Sequence, residues 1–448
     1  MNFINALADR LLRSRLFTIW QEAGSLSYRL APYWIGGALT ALMAVFYYRI
    51  FVWSEEFARH WAGQNRYLSI ALIPIGMLLS WLLVHFFSPG ASGSGIPQLI
   101  ASLKAPPGNH AFLSRMLNPL IIPVKLLGSC VCVALGGVSG REGPMLQISG
   151  SIFYSIQRVW PSRHRSLIDL RSMILAGGAA GLAAAFNTPL GGIIFAIEEL
   201  AKVHLSQVRT YIFHAVVLAG LLAQGILGHY LYLDSIHASD AGASGMLRVI
   251  PVALVIGAMG GLFAKGLVLV TGWRTKLSFG KKFGMTIFCG LIVAGLFLWL
   301  GDTNLGSGRE LIRDFLRSPH ENATFSVAAG RIFGNYFTYI GGVVGGIFAP
   351  SLASGAALGA YAANFLTGVD PQVLVLVGMT AFLTGVTQTP FTSAILVLEM
   401  TAGHNAIFTL LLASVCAQGA AYLVDPISFY EHISDRFLKE AGIDAPGH

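Results

Sequence analysis

Eight apolar stretches, each about long enough to cross a bilayer, run through this chain at 32–53, 67–87, 118–136, 210–234, 248–272, 283–301, 371–398 and 405–424. A hydrocarbon core about 30 Å thick needs roughly 20 apolar residues of helix to span it. Backbone polar groups in lipid must be satisfied within the protein, so such a chain folds as a helical bundle. Only 11% of its residues are charged against 54% hydrophobic, too few charges to cover a soluble fold of this length. The same numbers exclude intrinsic disorder. The expected fold class is an all-α polytopic membrane protein.

The net charge of +8 does not call for a nucleic acid. The basic residues cluster in short connections: Arg10, Arg13 and Arg15 before the first span, Arg158, Arg163, Arg165 and Arg171 in one connection, and Arg274, Lys276, Lys281 and Lys282 in another. The positive-inside rule explains such clusters and places the N-terminus in the cytoplasm. The start, MNFINALADRLLRSRLFTIW at 1–20, has no small-residue cleavage site after a short apolar core and is no secretory signal peptide. Phe3, Ile4, Leu7, Leu11 and Leu12 recur at helical spacing there, which predicts an amphipathic helix on the inner leaflet. Cys130, Cys132, Cys289 and Cys416 lie in apolar runs without metal-binding spacing, and the histidines are scattered, so no metal or other cofactor is expected. There is no GxxxxGK[ST] and hence no nucleotide domain of that kind.

Two regions, 127–200 and 325–367, are apolar but interrupted by glycine and proline. Helices broken at membrane depth in two corresponding places point to a transport site. A repeat supports this. TPLGGIIFAIE at 188–198 and TPFTSAILVLE at 389–399 share Thr-Pro and, five and nine residues after the proline, Ile and Glu. GGVSGREGP at 136–144 pairs in the same order with GGVVGGIFAP at 341–350. We read a duplication, with a first membrane repeat at 31–205 and a second at 206–425; from sequence, the relative orientation of the two stays open.

The breaks carry the chemistry. They are Gly93-Ser94-Gly95-Ile96-Pro97, Gly140-Arg141-Glu142-Gly143-Pro144 and Gly345-Gly346-Ile347-Phe348-Ala349-Pro350. Proline is tolerated in a first helical turn. A helix N-terminus offers partial positive charge and unsatisfied N–H donors. Several such ends meeting at mid-membrane would hold an anion weakly enough to release it. A carboxylate such as Glu142 in an apolar segment costs about 2.5–3.5 kcal/mol on insertion scales and is functional by default; the bland alternative is a surface loop in which Glu142 pairs with Arg141.

GSGIP, GREGP and GGIFAP, in this order, resemble the chloride channel (CLC) family of channels and chloride/proton exchangers, as does PFTSAILVLEMT at 390–401. The resemblance covers nearly the whole chain. It implies two inverted-topology repeats of tilted and broken helices per subunit and a homodimer with one ion path in each subunit. By motif, it implies that Ser94, the amides of Ile347 and Phe348, and Tyr430 hold chloride. Tyr422 is the other candidate for the tyrosine, because Pro426 stands further upstream of Tyr430 than the family pattern has it. Glu142 is implied as the outer gate, with Arg141 and Gly143 beside it.

Glu199 stands where exchangers of the family carry an inner proton acceptor; otherwise Glu198 and Glu199 mark a cytoplasmic helix end, though a helix C-terminus disfavours a carboxylate. Glu198 and its match Glu399 are read as structural. Lys125 is either a bias toward anions or a snorkelling helix-end lysine. Gln98 stands where many relatives have Glu. Ser94 points to chloride, since nitrate-selecting relatives tend to have Pro there. Residues 426–448 are expected to form a C-terminal helix with Tyr430, with no room for the CBS pair of eukaryotic members, which suggests a bacterial inner-membrane protein with both termini cytoplasmic. The expected function is chloride/proton exchange, with chloride, protons and membrane lipid as partners; a passive chloride channel is the alternative.

One other class fits some residues. Intramembrane serine proteases use G-x-S-G with a membrane histidine. Three such tetrads, at 90–93, 137–140 and 242–245, with His214 and His229, match in part. A glycine-rich chain produces such matches by composition, and the repeat has no role in that chemistry.

Overall fold

The structure, a computed structural model, describes residues 2–161, 168–200, 209–228, 232–233, 242–401 and 403–444; for 2–27, 209, 243 and 404 it describes the backbone. Among these residues there is helix and no named strand; two isolated β-bridges join the glycine-rich breaks. Seven helices are long and apolar enough to cross a membrane. The chain is a polytopic helical membrane protein.

Helix α1 (Asn2–Gln64) runs on from the N-terminal segment into the first span with Pro32 inside it. The apolar face expected at Phe3–Leu12 and the charges at Arg10, Arg13 and Arg15 lie outside the described side chains, and Arg163, Arg165 and His229 outside the described residues. Then come α2 (Ser69–Phe87), α3 (Ile96–Lys104), α4 (His110–Leu117), α5 (Ile121–Ala134), α6 (Glu142–Val159), α7 (Leu170–Phe186), α8 (Pro189–Phe195) and α9 (Arg209–Leu227). After these come α10 (Gly242–Thr275), α11 (Phe279–Leu300), α12 (Arg309–Arg317), α13 (Phe325–Ile340), α14 (Phe348–Ala363), α15 (Pro371–Thr387), α16 (Pro390–Thr401), α17 (Ile407–Val424) and α18 (Phe429–Glu440).

One expected span is corrected. The stretch 371–398 is not one helix: it breaks at Gln388, whose φ of 56° is left-handed, and restarts at Pro390, which lacks the N–H that would continue the ladder. The same turn stands in the first half at Asn187, φ 57°, before Pro189. Asp169 and Asp370, Asn187 and Gln388, Pro189 and Pro390, and Glu198 and Glu399 each lie 201 residues apart. Asp169 caps α7 by accepting from the N–H of Ser172 at 2.8 Å, and Asp370 caps α15 by accepting from that of Gln372 at 2.9 Å.

The orientation that the sequence left open follows from a reciprocal clasp. Glu198, just past α8, accepts from the N–H groups of Phe391 (3.1 Å) and Thr392 (2.7 Å) and from the Thr392 hydroxyl (2.7 Å). Glu399, near the end of α16, accepts from the N–H groups of Leu190 (3.2 Å) and Gly191 (2.8 Å). Each helix ends where the other begins, so the two run antiparallel and the repeats are inverted. The clasp also places a carboxylate on the unsatisfied donors of each N-terminus.

Glycines set the closest crossings. A Cβ on Gly177 of α7 would stand 3.1 Å from Gly150 Cα of α6, and one on Gly378 of α15 would overlap the carbonyl oxygen of Gly355 on α14. Small residues let membrane helices approach to backbone contact. The surface is apolar, with side chains such as Leu42, Phe46, Leu221, Phe288 and Phe408 exposed.

Candidate functional site

Two β-bridges draw the three broken segments together. Gly140 N–H donates to Gly346 O at 2.9 Å, and Gly346 N–H returns a bond to Gly140 O at 2.8 Å. Gly345 N–H donates to Gly93 O at 3.2 Å. Side chains are excluded at this junction: a Cβ on Gly143 would overlap Ser94 Oγ, and one on Gly346 would come 3.0 Å from Gly143 N. Gly95, at φ 108°, holds a left-handed conformation that a side chain would strain.

From this knot three helices begin. Pro97 sits in the first turn of α3, Pro144 in that of α6 and Pro350 in that of α14. Ile347 caps α14, and Phe348 is its first residue. The first N–H groups of a helix have no acceptor within it, so the amides at 347–348 and 142–143 are donors by position. Gly93, Ser94, Gly95, Ile96, Pro97, Gly140, Arg141, Glu142, Gly143, Pro144, Gly346, Ile347, Phe348, Ala349 and Pro350 are therefore one buried cluster.

A fourth helix joins it. Ser428 caps α18 by accepting from Glu431 N–H at 3.3 Å. This sets Tyr430 in the first turn, fully buried, with its phenol beside the Ser94 hydroxyl. Neither hydroxyl oxygen has a partner in hydrogen-bonding geometry within the protein. Two buried O–H donors without a protein acceptor, facing helix N-termini, suit an anion as substrate. Tyr422 is 60% exposed on α17; the tyrosine beside Ser94 is Tyr430. Lys104 of α3 bonds Glu431 at 3.3 Å and Asp435 at 2.8 Å on α18. The helix that follows the Ser94 loop and the helix that bears Tyr430 are thus tied to each other beyond the site.

Lys125 does not snorkel. It is fully buried, and its ammonium donates to Gly93 O at 2.6 Å. Gln98 holds the same loop by donating to Ser92 O at 2.5 Å, and Gln147 donates to Gly90 O and Met116 O at 2.9 and 2.8 Å. A cavity of about 420 Å³ leads to Ser92 and Gly93 past Arg115, Arg274, Lys282 and Arg436, with Glu440 as the one acidic residue in its lining. This cationic approach attracts anions.

Glu142, the first residue of α6, is fully buried. Its Oε1 accepts from the Tyr232 hydroxyl at 2.9 Å, and its Oε2 packs so closely on Gly140 that a Cβ there would overlap it. It is no surface-loop residue. Arg141 donates to Ala185 O at 2.9 Å, with its guanidinium 4.4 Å above the Tyr48 ring. Arg309 donates to Tyr232 O at 2.9 Å and to the Tyr48 hydroxyl at 3.0 Å.

Glu199 lies in a π-type turn, Ala196–Leu200, and is 3% exposed. It is close enough to act electrostatically on the Tyr430 phenol. π-type turns are frequent at functional sites.

Tyr232, Tyr48, Arg309 and Gln147 were not singled out from the sequence. No motif marks them, and each matters through a contact between distant segments. Of the protease pairing, His214 faces the Thr210 carbonyl at 2.7 Å and the Trp34 ring, while Ser139 is buried against Gly345. Among the described residues no group of His, Cys, Asp and Glu has metal-binding geometry.

Residues 75–422 match the family described as "Voltage gated chloride channel", and the chain belongs to it. It is similar to the H(+)/Cl(-) exchange transporter ClcA of Vibrio parahaemolyticus, 30% identical over 408 residues that cover 86% of this chain and 83% of the relative. It is also similar to ClcA of Citrobacter koseri, 27% identical over 428 residues covering 90% and 87%. Among solved structures, a slow cyanobacterial Cl-/H+ antiporter superposes with a TM-score of 0.80 at 24% identity, covering 93% of this chain and 99% of that one. A CLC-type fluoride/proton antiporter superposes with a TM-score of 0.74 at 21% identity, covering 91% and 98%.

Proposed function

We propose that this member of the voltage gated chloride channel family exchanges chloride for protons across a bacterial inner membrane, as a homodimer with both termini cytoplasmic. One observation carries the reading. Helix N-termini and two buried hydroxyls converge on one spot, and two carboxylates, Glu142 and Glu199, are buried within the protein.

In this reading chloride is held by the Ser94 and Tyr430 hydroxyls and by the amides of Ile347 and Phe348. Partial charges suit permeation, because the ion must also leave. The Glu142 carboxylate is itself an anion at a helix N-terminus and competes for that kind of site. Once protonated it no longer competes, and chloride advances. Glu199 passes protons to and from the inner side by a route separate from chloride. Coupling follows because Glu142 cannot take a proton and act as the blocking anion together. Lys125 holds the Gly93 carbonyl and with it the loop that carries Ser94.

We assign 1–30 to a cytoplasmic N-terminal helix, 31–205 and 206–425 to the two repeats, and 426–448 to the C-terminal helix that supplies Tyr430. The outward apolar side chains Leu190, Ile197 and Phe391 on the clasped helices support their use as the face between subunits.

Proteoliposome flux tests the function. Vesicles loaded with chloride are allowed to release it while external pH and chloride are recorded together. Protons driven uphill by the chloride gradient support exchange. Chloride movement at constant pH identifies a passive channel and removes the role given to Glu199.

A further inference from the structure

Tyr232 belongs to no motif, yet it makes the hydrogen bond to Glu142 at 2.9 Å. It is 2% exposed. Its ring packs edge-on against Phe186 at 5.1 Å, and Phe186 in turn meets Phe348 at 5.5 Å. Its carbonyl is held by Arg309 at 2.9 Å, and the next residue, Leu233, donates its N–H to Met400 O at 3.2 Å. Tyr232 is thus braced by the second half of the chain while its hydroxyl reaches a carboxylate of the first.

We propose that Tyr232 is a positioning residue that latches the Glu142 carboxylate over the outer end of the anion path and so sets how much external chloride is needed to displace it. This rests on the reading of Glu142 as a gate. A phenol O–H donates to the charged carboxylate, and such charge-assisted bonds are stronger than neutral ones. The donor comes from another segment, so it favours one placement of the carboxylate and not others. Chloride competing for that place must work against the latch.

The test is the external chloride concentration that half-saturates chloride flux in proteoliposomes, with the proton-to-chloride ratio measured alongside wherever Glu142 is present. Tyr232→Phe keeps the ring on Phe186 and removes the donor. It is expected to lower half-saturating chloride by about three- to tenfold and leave the ratio unchanged. Replacing Tyr232 by 3,5-difluorotyrosine, a near-isosteric and stronger donor, is expected to raise it. In a Glu142→Ala background neither change at 232 should have any effect, because the latched group is gone. If Glu142→Ala alters the chloride dependence and both Tyr232 variants match the wild type, the latch is overturned and the gate stands. The same holds if the Tyr232 variants act equally in the Glu142→Ala background, which marks a merely structural residue. If Glu142→Ala itself leaves the chloride dependence unaltered, the gate fails and the latch falls with it.

Discussion

The turn between α7 and α8 and the turn between α15 and α16 are built alike. Each has an Asp cap on the helix before it, a left-handed residue, a Thr-Pro start and a Glu clasped on the opposite helix. They differ one residue past the clasp. The first half has Glu199 in a π-type turn, and the second has Met400, fully buried in regular helix. The scaffold was duplicated and the titratable group was not. What the halves share therefore holds the fold, and what only one half carries is where directional chemistry belongs.

The comparison can be broken at several points. The largest effect is expected at the glycine crossings, where both halves depend on backbone contact. Gly378→Val would drive a branched side chain into the Gly355 carbonyl, and no monodisperse protein should be recovered by size-exclusion chromatography in detergent. Gly177→Val should act in the same direction but less severely, since its nearest neighbours stand at 3.1 Å. Equal and normal recovery of both variants would remove the packing argument.

Next is the asymmetric position. Glu199→Gln should abolish proton movement while chloride flux persists, and Met400→Gln should leave the proton-to-chloride ratio at the wild-type value. A loss of coupling in the Met400 variant would show that the two positions share a role.

The clasps should give a smaller and nearly symmetric effect. Bonds to a charged group contribute about 1.5–3 kcal/mol each when buried, less where the pair is partly exposed, as at Phe391 and Leu190. Glu198→Gln and Glu399→Gln should each lower the apparent Tm in detergent by several degrees. The Glu198 variant should lose more, because that carboxylate accepts three bonds against two. A shift in only one of them would mean that the clasp is not reciprocal in energy.

The smallest effect belongs to Lys104, whose pairs with Glu431 and Asp435 are partly exposed. Lys104→Met should cost about 1 kcal/mol or less of stability, yet it loosens the tie between the helix that follows the Ser94 loop and the helix that bears Tyr430. A weakened chloride affinity by isothermal titration, with Tm nearly unchanged, is the expected signature.

Much of this was legible in the sequence for a physical reason. Broken helices in lipid need glycine and proline at fixed places, and a duplication repeats those places, so GSGIP, GREGP and GGIFAP mark the knot in the sequence itself. The repeated Glu198 and Glu399 read as structural, and the clasp is what they do. Four things were not legible. Inversion lies in the direction of helices, and residue types do not encode it. The break at Gln388 is short, with only Thr387-Gln388-Thr389-Pro390 interrupting the apolar runs on either side. Tyr232 acts through a hydroxyl that meets Glu142 across 90 positions of chain, and the fate of Lys125, burial against a carbonyl in place of a helix-end position, likewise depends on a partner far off in sequence.

The clasp has a further consequence for how the protein is made. The acceptor for the first turn of α8 lies 209 residues downstream of Leu190. At about 5–20 residues per second, translation leaves that turn without its carboxylate for roughly 10–40 seconds. The first repeat therefore waits in the membrane, or in the insertion machinery, with donors unmet, and it is completed only when the second repeat arrives in the opposite orientation.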